Sequence, residues 1–259
     1  MNTKRDWKKE LKKFQNFLES IDLQKYSYLR QIKTVEQDLP KELLPLEIYY
    51  RYYWMSIDFK DYDEVFRIYW KEKLADIFGF IKKYFYGCSV QFVEEGFKAR
   101  LYRIWVSILT QFHFQYLWNS IFEEEIISNP DLDIIGIDGI VKFSNMNLGF
   151  QIKKVSFRSE VLDRKFTKRQ MKKVDVMVEV PYLVVDVNSF KDTGLKDLFS
   201  RYFRELKNGF VVFSQDYLYE IRSVIQKITP ESKGTRITYD KFIDVINSED
   251  TKTNIVVKE

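Results

Sequence analysis

A charged residue inside an apolar strand constrains a chain more than any compositional average, and this chain has one in Asp133 to Phe157, DIIGIDGIVKFSNMNLGFQIKKVSF. Two apolar runs, Ile134 to Phe143 and Leu148 to Phe157, flank the polar stretch Lys142 to Met146, a pattern that predicts an antiparallel hairpin. Asp138 interrupts the first run, with glycines two residues before it and one after. A carboxylate in such a strand loses hydration unless a cation or a set of hydrogen bonds replaces it. On the second run Gln151 and Lys153 are two apart and share a face, while Phe150 and Ile152 share the other. An acid on one strand and Gln-x-Lys on the next can form a metal and nucleophilic-water site. The carboxylate supplies a hard oxygen ligand, and the ammonium stabilises negative charge or helps deprotonate water.

This arrangement resembles the pattern of PD-(D/E)xK nucleases, with Gln151 where most members carry a carboxylate. Asp133, five residues before Asp138, falls on the opposite face of a regular strand and needs a bulge near Gly136 to converge. A surface carboxylate at the strand start is its plainer reading. A neutral amide is a poor magnesium ligand, so Asp133, or Glu95 on the preceding helix, is expected to supply the second anion while Gln151 orients water. Lys153 and Lys154 point to opposite faces of an ideal strand. Alternation makes Lys153 catalytic and Lys154 a phosphate contact, and a local twist would exchange them.

Composition excludes several classes. An aromatic content of 22 Phe, 17 Tyr and 5 Trp excludes wholesale disorder, and Lys+Arg exceeds Asp+Glu by only four, so net charge announces no polyanion partner. One cysteine, Cys88, rules out an intramolecular disulfide and a Cys-based zinc site; with no secretory leader it fits a reducing cytoplasm, and it is expected as a small buried residue. The longest uncharged run, Ile104 to Phe122, carries seven polar residues and predicts a buried core helix rather than a membrane span. His113, on that helix, has no partners for triad or zinc chemistry and reads as a hydrogen-bonded core residue.

Along the chain, Trp7, Leu11, Phe14, Leu18 and Ile21 recur at helical spacing over residues 4–21, with Thr3 as expected N-cap and Lys8, Lys9, Lys12 and Lys13 on the solvated face. Helices follow at Leu46 to Ile57, Tyr62 to Tyr86 and Val93 to Trp118, their Tyr and Trp stripes read as core rather than base-stacking surface. After the hairpin, a short helix over Glu160 to Met171 lies in a basic run: Arg158, Arg164, Lys165, Lys168, Arg169, Lys172 and Lys173 against Glu160 and Asp163. Beside a nuclease centre, phosphate contact explains that excess. Val174 to Val187 reads as strand, with Pro181 marking an edge or a bend, Phe190 to Leu206 as helix, Phe210 to Phe213 as buried strand and residues 215–228 as helix. The fold expected is α+β, a mixed sheet with helix, three strands, helix, strand, and a helical N-terminal half packed on it. A single domain is expected over 1–259: mainly helical over 1–125, a mixed-sheet catalytic core over 126–228, and a C-terminal extension of turn, short amphipathic segment and tail.

Along nearly its whole length the chain also resembles the TaqI family of type II restriction endonucleases. The resembling segments are IKTVEQDLP (Ile32 to Pro40), IKKYFYGCS (Ile81 to Ser89), ARLYR (Ala99 to Arg103), TQFHF (Thr110 to Phe114), Leu132 to Asp138, GFQIKK (Gly149 to Lys154) and NGFVVF (Asn208 to Phe213). The resemblance implies a magnesium-dependent homodimer that cuts double-stranded DNA at the palindrome TCGA, after the T, with a cognate methyltransferase as a genetic companion rather than a bound partner. It implies Asp133 and Asp138 as the active-site aspartates and carries Gln151 through Lys154 onto the family's Gln-Ile-Lys-Lys stretch; on these residues Asp138, with the main-chain carbonyl of Ile152 and with Asp133, is expected to ligate the metal. The basic segment after Arg158 and the region Lys191 to Lys196 depart from the family. Two readings compete: a structure-selective repair or recombination nuclease, and a non-catalytic DNA-binding protein on a nuclease scaffold. The retained Asp138 and Lys153 argue against the second.

Overall fold

The computed structural model describes residues 5–32, 39–154, 167–182 and 193–238. Its contacts divide the chain into two compact units, one of residues 12–112 and 207–210, the other of 1–11, 113–206 and 211–259.

The first unit is helical: α1 (Trp7–Ser20, from its second turn on), α2 (Ser27–Gln31), α3 (Leu46–Tyr49) running into a π-helical turn over Tyr50–Met55, α4 (Tyr62–Glu72), α5 (Leu74–Tyr84) and the N-terminal part of α6 (Val90–Ile121). Asp6, three residues beyond the expected Thr3, caps α1 by accepting from Lys9 N at 3.1 Å, and Thr3 lies outside the described residues. The helix expected over Tyr62 to Tyr86 is two, broken where Lys73 leaves the helical region at φ −100° and ψ 10°. Tyr49, Tyr53, Tyr62, Tyr69, Tyr102 and Trp105 are buried, so the aromatic stripes are core. The Tyr49 hydroxyl donates to Leu101 O (3.0 Å), that of Tyr69 to Leu43 O (2.8 Å), and Trp105 Nε1 to Tyr53 Oη (2.7 Å). These bonds answer the desolvation that burial imposes on the polar end of each ring.

The second unit holds the rest of α6, then α7 (Pro130–Ile134), β1 (Gly139–Phe143), β2 (Met146–Lys154), α8 (Lys168–Met171), β3 (Val176–Tyr182), α9 (Thr193–Tyr202), β4 (Phe203–Glu205), β5 (Val211–Phe213), α10 (Gln215–Ile225) and β6 (Arg236–Thr238). The fold is α+β. β1 and β2 form the expected hairpin, closed by Ser144 and Asn145 at φ 46° and 66°, the two positive values a tight type I′ turn requires. β3 joins β2 in parallel and β6 joins β3 in parallel, giving the order β1-β2-β3-β6. β3 is interior over Met177 to Glu179, and among the described residues Pro181 lies past the stretch that pairs with β6, on the open side of the strand where a missing N–H is tolerated. The helix expected through Leu206 ends at Tyr202 and turns into β4, which pairs antiparallel with β5 in a separate ribbon. The fourth strand of the main sheet comes instead from the C-terminal stretch read as turn and amphipathic segment.

Strand alternation gives this sheet two unlike faces. Val141, Leu148, Phe150, Val176, Val178, Val180 and Tyr182 turn to one side and pack against Phe114, Leu117 and Trp118 of α6 and Tyr217, Leu218, Ile221 and Ile225 of α10. Burying each such large side chain contributes roughly 1.5–3 kcal/mol. On the other side, Met177 packs with Leu132, Ile137 and Val174, and Gly149 lets β2 lie close to them: a Cβ there would sit 2.7 Å from Met177 Sδ. That second face carries the polar residues. Among the described residues no helix is long and apolar enough to cross a membrane.

Candidate active site

Asn129 caps α7 by accepting from Leu132 N at 3.0 Å, and Pro130 occupies its first turn. Gly136, at φ +78°, then reverses the chain, its N–H donating to Asp133 O at 2.8 Å. Asp133 thus lies on a helix and not, as expected, at the start of a strand, and no β-bulge is needed to bring it toward Asp138. Asp138 is fixed by its backbone, N donating to Phe150 O (2.9 Å) and O accepting from Gln115 Nε2 (2.7 Å) and Ser128 Oγ (2.5 Å). Its buried carboxylate accepts from Ile152 N. Burial, then the charge of Asp133, push its pKa well above the usual carboxylate range against the opposing pull of the Ile152 N–H and the Lys153 ammonium.

Gln151 and Lys153 lie on the same sheet face as Asp138, as alternation requires. In the β2–β3 register Gln151 stands opposite Glu179, a carboxylate only 2% exposed. Lys153 Nζ and Arg236 Nη1 both reach Glu179 Oε1. Arg236 Nη1 also donates to Gln151 Oε1 at 2.7 Å, and Nη2 lies 3.5 Å from Gln170 Oε1. Gln170, from the capping box that opens α8 with Thr167, donates through Nε2 to Ile135 O (3.0 Å) and Gly136 O (3.3 Å), so it ties the turn before Asp138 to Arg236. Glu179, Arg236 and Gln170 are absent from the sequence reading. A lone Glu in the apolar strand VMVEVPY was a visible signal for the first, by the same reasoning that singled out Asp138.

Lys154 is exposed, whereas the Lys153 side chain is 18% exposed and directed at Glu179. Lys168, Arg169, Lys172 and Lys173 are exposed on and just after α8; Arg158, Arg164 and Lys165 lie outside the described residues. Glu95 belongs to α6 in the helical unit. His113 is buried and neutral, its ring stacked near Phe213 with centroids 6.4 Å apart. Cys88, expected buried, is exposed, because Gly87 at φ +85° places it on the turn between α5 and α6.

Asp133 and Asp138 bring two carboxylates together, one of them buried and short of countercharge. A hard dication answers that deficit, and magnesium commonly takes one or two protein carboxylates and fills its remaining positions with water and phosphate oxygens. Among the described residues no group of three or more His, Cys, Asp or Glu gathers to hold a metal unaided.

The model of the TaqI restriction endonuclease family matches residues 11–225. The chain is 38% identical over 243 residues to the type II restriction enzyme TaqI of Thermus aquaticus, covering 87% of this chain and 92% of that protein. To the type II restriction enzyme TthHB8I of Thermus thermophilus it is 35% identical over 250 residues, covering 90% and 94%. No solved structure gives a significant match. With the family model spanning most of its length and two relatives aligned nearly end to end, the chain belongs to the TaqI restriction endonuclease family.

Proposed function

We propose that this restriction endonuclease hydrolyses double-stranded DNA at the palindrome TCGA, after the T, with magnesium and as a homodimer. Membership of the family makes it a site-specific endonuclease; the target and the metal follow from the resemblance to that family. The observation that carries the chemistry is the gathering of Asp138, Gln151 and Lys153 on one sheet face, with Asp133 close enough to raise the Asp138 pKa.

Asp133, Asp138 and the main-chain carbonyl of Ile152 would hold the metal, which when bound supplies Lewis acidity and neutralises charge building on the phosphate. Asp138 is held by the Ile152 N–H, so its free oxygen keeps one direction. Lys153 polarises the attacking water as an ammonium, or takes its proton as the neutral amine. Gln151 has its carbonyl occupied by Arg236, leaving its amide N–H groups to orient an acceptor. Lys154, Lys165, Lys168, Lys172 and Lys173 contact backbone phosphates, which fixes affinity without reading bases, while at least one of Arg158, Arg164 and Arg169 reads a base edge.

Digestion of a defined plasmid, followed by run-off sequencing of the ends, tests the target. Discrete fragments ending after the T of TCGA are expected; structure-dependent nicking, or a gel shift without cleavage, would favour the competing readings. Asp138→Ala should bind duplex normally and cleave about a thousandfold more slowly in single turnover, equal to about 4 kcal/mol of transition-state stabilisation. Near-wild-type cleavage by that variant in magnesium would remove Asp138 from the mechanism.

A further inference from the structure

Glu179 has one cation more than its charge requires. Its carboxylate is almost wholly buried, and Lys153 and Arg236, 18% and 12% exposed, converge on the same oxygen. The two cations are held differently. Arg236 is gripped from three sides by Glu179, Gln151 and Gln170, in the fixed fork a guanidinium presents. Lys153 reaches Glu179 on a flexible four-carbon stem, next to Asp138, with its charge already felt there.

A buried carboxylate stripped of its sole partner is strongly destabilised. A lysine that turns to a phosphate out of reach of Glu179 gives up that contact, and it can do so cheaply only if another cation stays behind. We propose that Arg236 is a positioning residue that releases Lys153: it satisfies Glu179 permanently, so that the Lys153 ammonium can turn from Glu179 to the scissile phosphate without stranding a buried charge. Glu179 is on this view the anchor on which both cations meet, at its Oε1. Arg236 lies beyond the segment matched by the family model, which ends at residue 225. The inference rests on the reading of Lys153 as catalytic.

The test is single-turnover cleavage of a duplex carrying the cleaved site, with binding measured by fluorescence anisotropy and folding by near-ultraviolet circular dichroism. Of the two cations described on Glu179, Arg236→Gln leaves Lys153. Its cleavage rate should fall on the order of 100-fold, about 2.7 kcal/mol, while its Kd stays within about threefold. The double variant Glu179→Gln with Arg236→Gln removes the anchor with its partner and frees Lys153, so its rate should return to within about tenfold of wild type. A merely structural role makes the double variant no better than the single. A wild-type rate for Arg236→Gln, or a double variant no faster than Arg236→Gln, overturns the proposal. Should Arg236→Gln fail to fold, Glu179→Gln alone decides: cleavage within about tenfold of wild type supports the anchor role, and a loss of about 100-fold or more overturns it. Lys153→Ala separates the two levels. If it cleaves normally, the catalytic reading of Lys153 falls and takes this inference with it; if it is inactive while Arg236→Gln is unimpaired, only the inference falls.

Discussion

Burial keeps the His113 ring neutral, its pKa lowered from 6.5 to about 3 by desolvation and then by the charge of Arg204. In the unfolded chain the same ring takes up a proton near its ordinary value, so the depressed folded pKa gives stability that is complete above about pH 6.5 and is lost as pH falls toward about 3. Each pH unit below 6.5 removes up to about 1.36 kcal/mol, so between pH 7.5 and 5.0 wild type should lose about 2 kcal/mol more than His113→Gln. Urea midpoints at the two pH values measure this; parallel trends would mean that the ring is not the source. Individual residues were unevenly legible. Asp138, Gln151 and Lys153 declared themselves because alternation fixes a side chain's face whatever the tertiary fold. Glu179 obeyed the same rule and was passed over, since its partners Lys153 and Arg236 come from strands 26 and 57 residues away along the chain. Cys88 defeated composition altogether: the burial habit of cysteine yields to a local turn.

Among the elements, the hairpin was readable because its two strands are contiguous and its turn is made of Ser144 and Asn145, residues two positions long between apolar runs. β6 was not, because three residues with one apolar side chain carry no periodicity, and its parallel pairing with β3 is decided by the sheet rather than by the segment. The break at Lys73 and the conversion of the end of α9 into β4 likewise answer to packing over helix propensity. The closeness of β2 and β3 makes Gly149 a sensitive position. Gly149→Ala places a methyl group 2.7 Å from Met177 Sδ and 3.1 Å from Val174, and should destabilise the protein. The expected loss is about 1–3 kcal/mol, the range for overpacking a filled core, read from the denaturant midpoint at unchanged slope. An unaltered midpoint would show that Met177 and Val174 give way freely.

For the whole molecule, a palindrome offers the same half-site to two subunits, and both strands must be cut, so the proposed homodimer follows from the proposed target. Sedimentation with cognate duplex should give two 31.4 kDa chains per DNA. One chain per duplex, with both strands still cut in a single binding event, would refute it. The order of strands in the sheet has a further meaning in time. A chain is made from its N-terminus, and parallel pairing of β3 with β6 must wait for the helices and ribbon that lie between them. Asp138, Gln151, Lys153 and Glu179 are therefore all synthesised well before Arg236, and in that interval Glu179 holds Lys153 without the guanidinium that later joins it. On the proposed reading the unfinished polypeptide holds the Lys153 ammonium in its own grip, and β6, the last of the described strands, is the one that lets go of it.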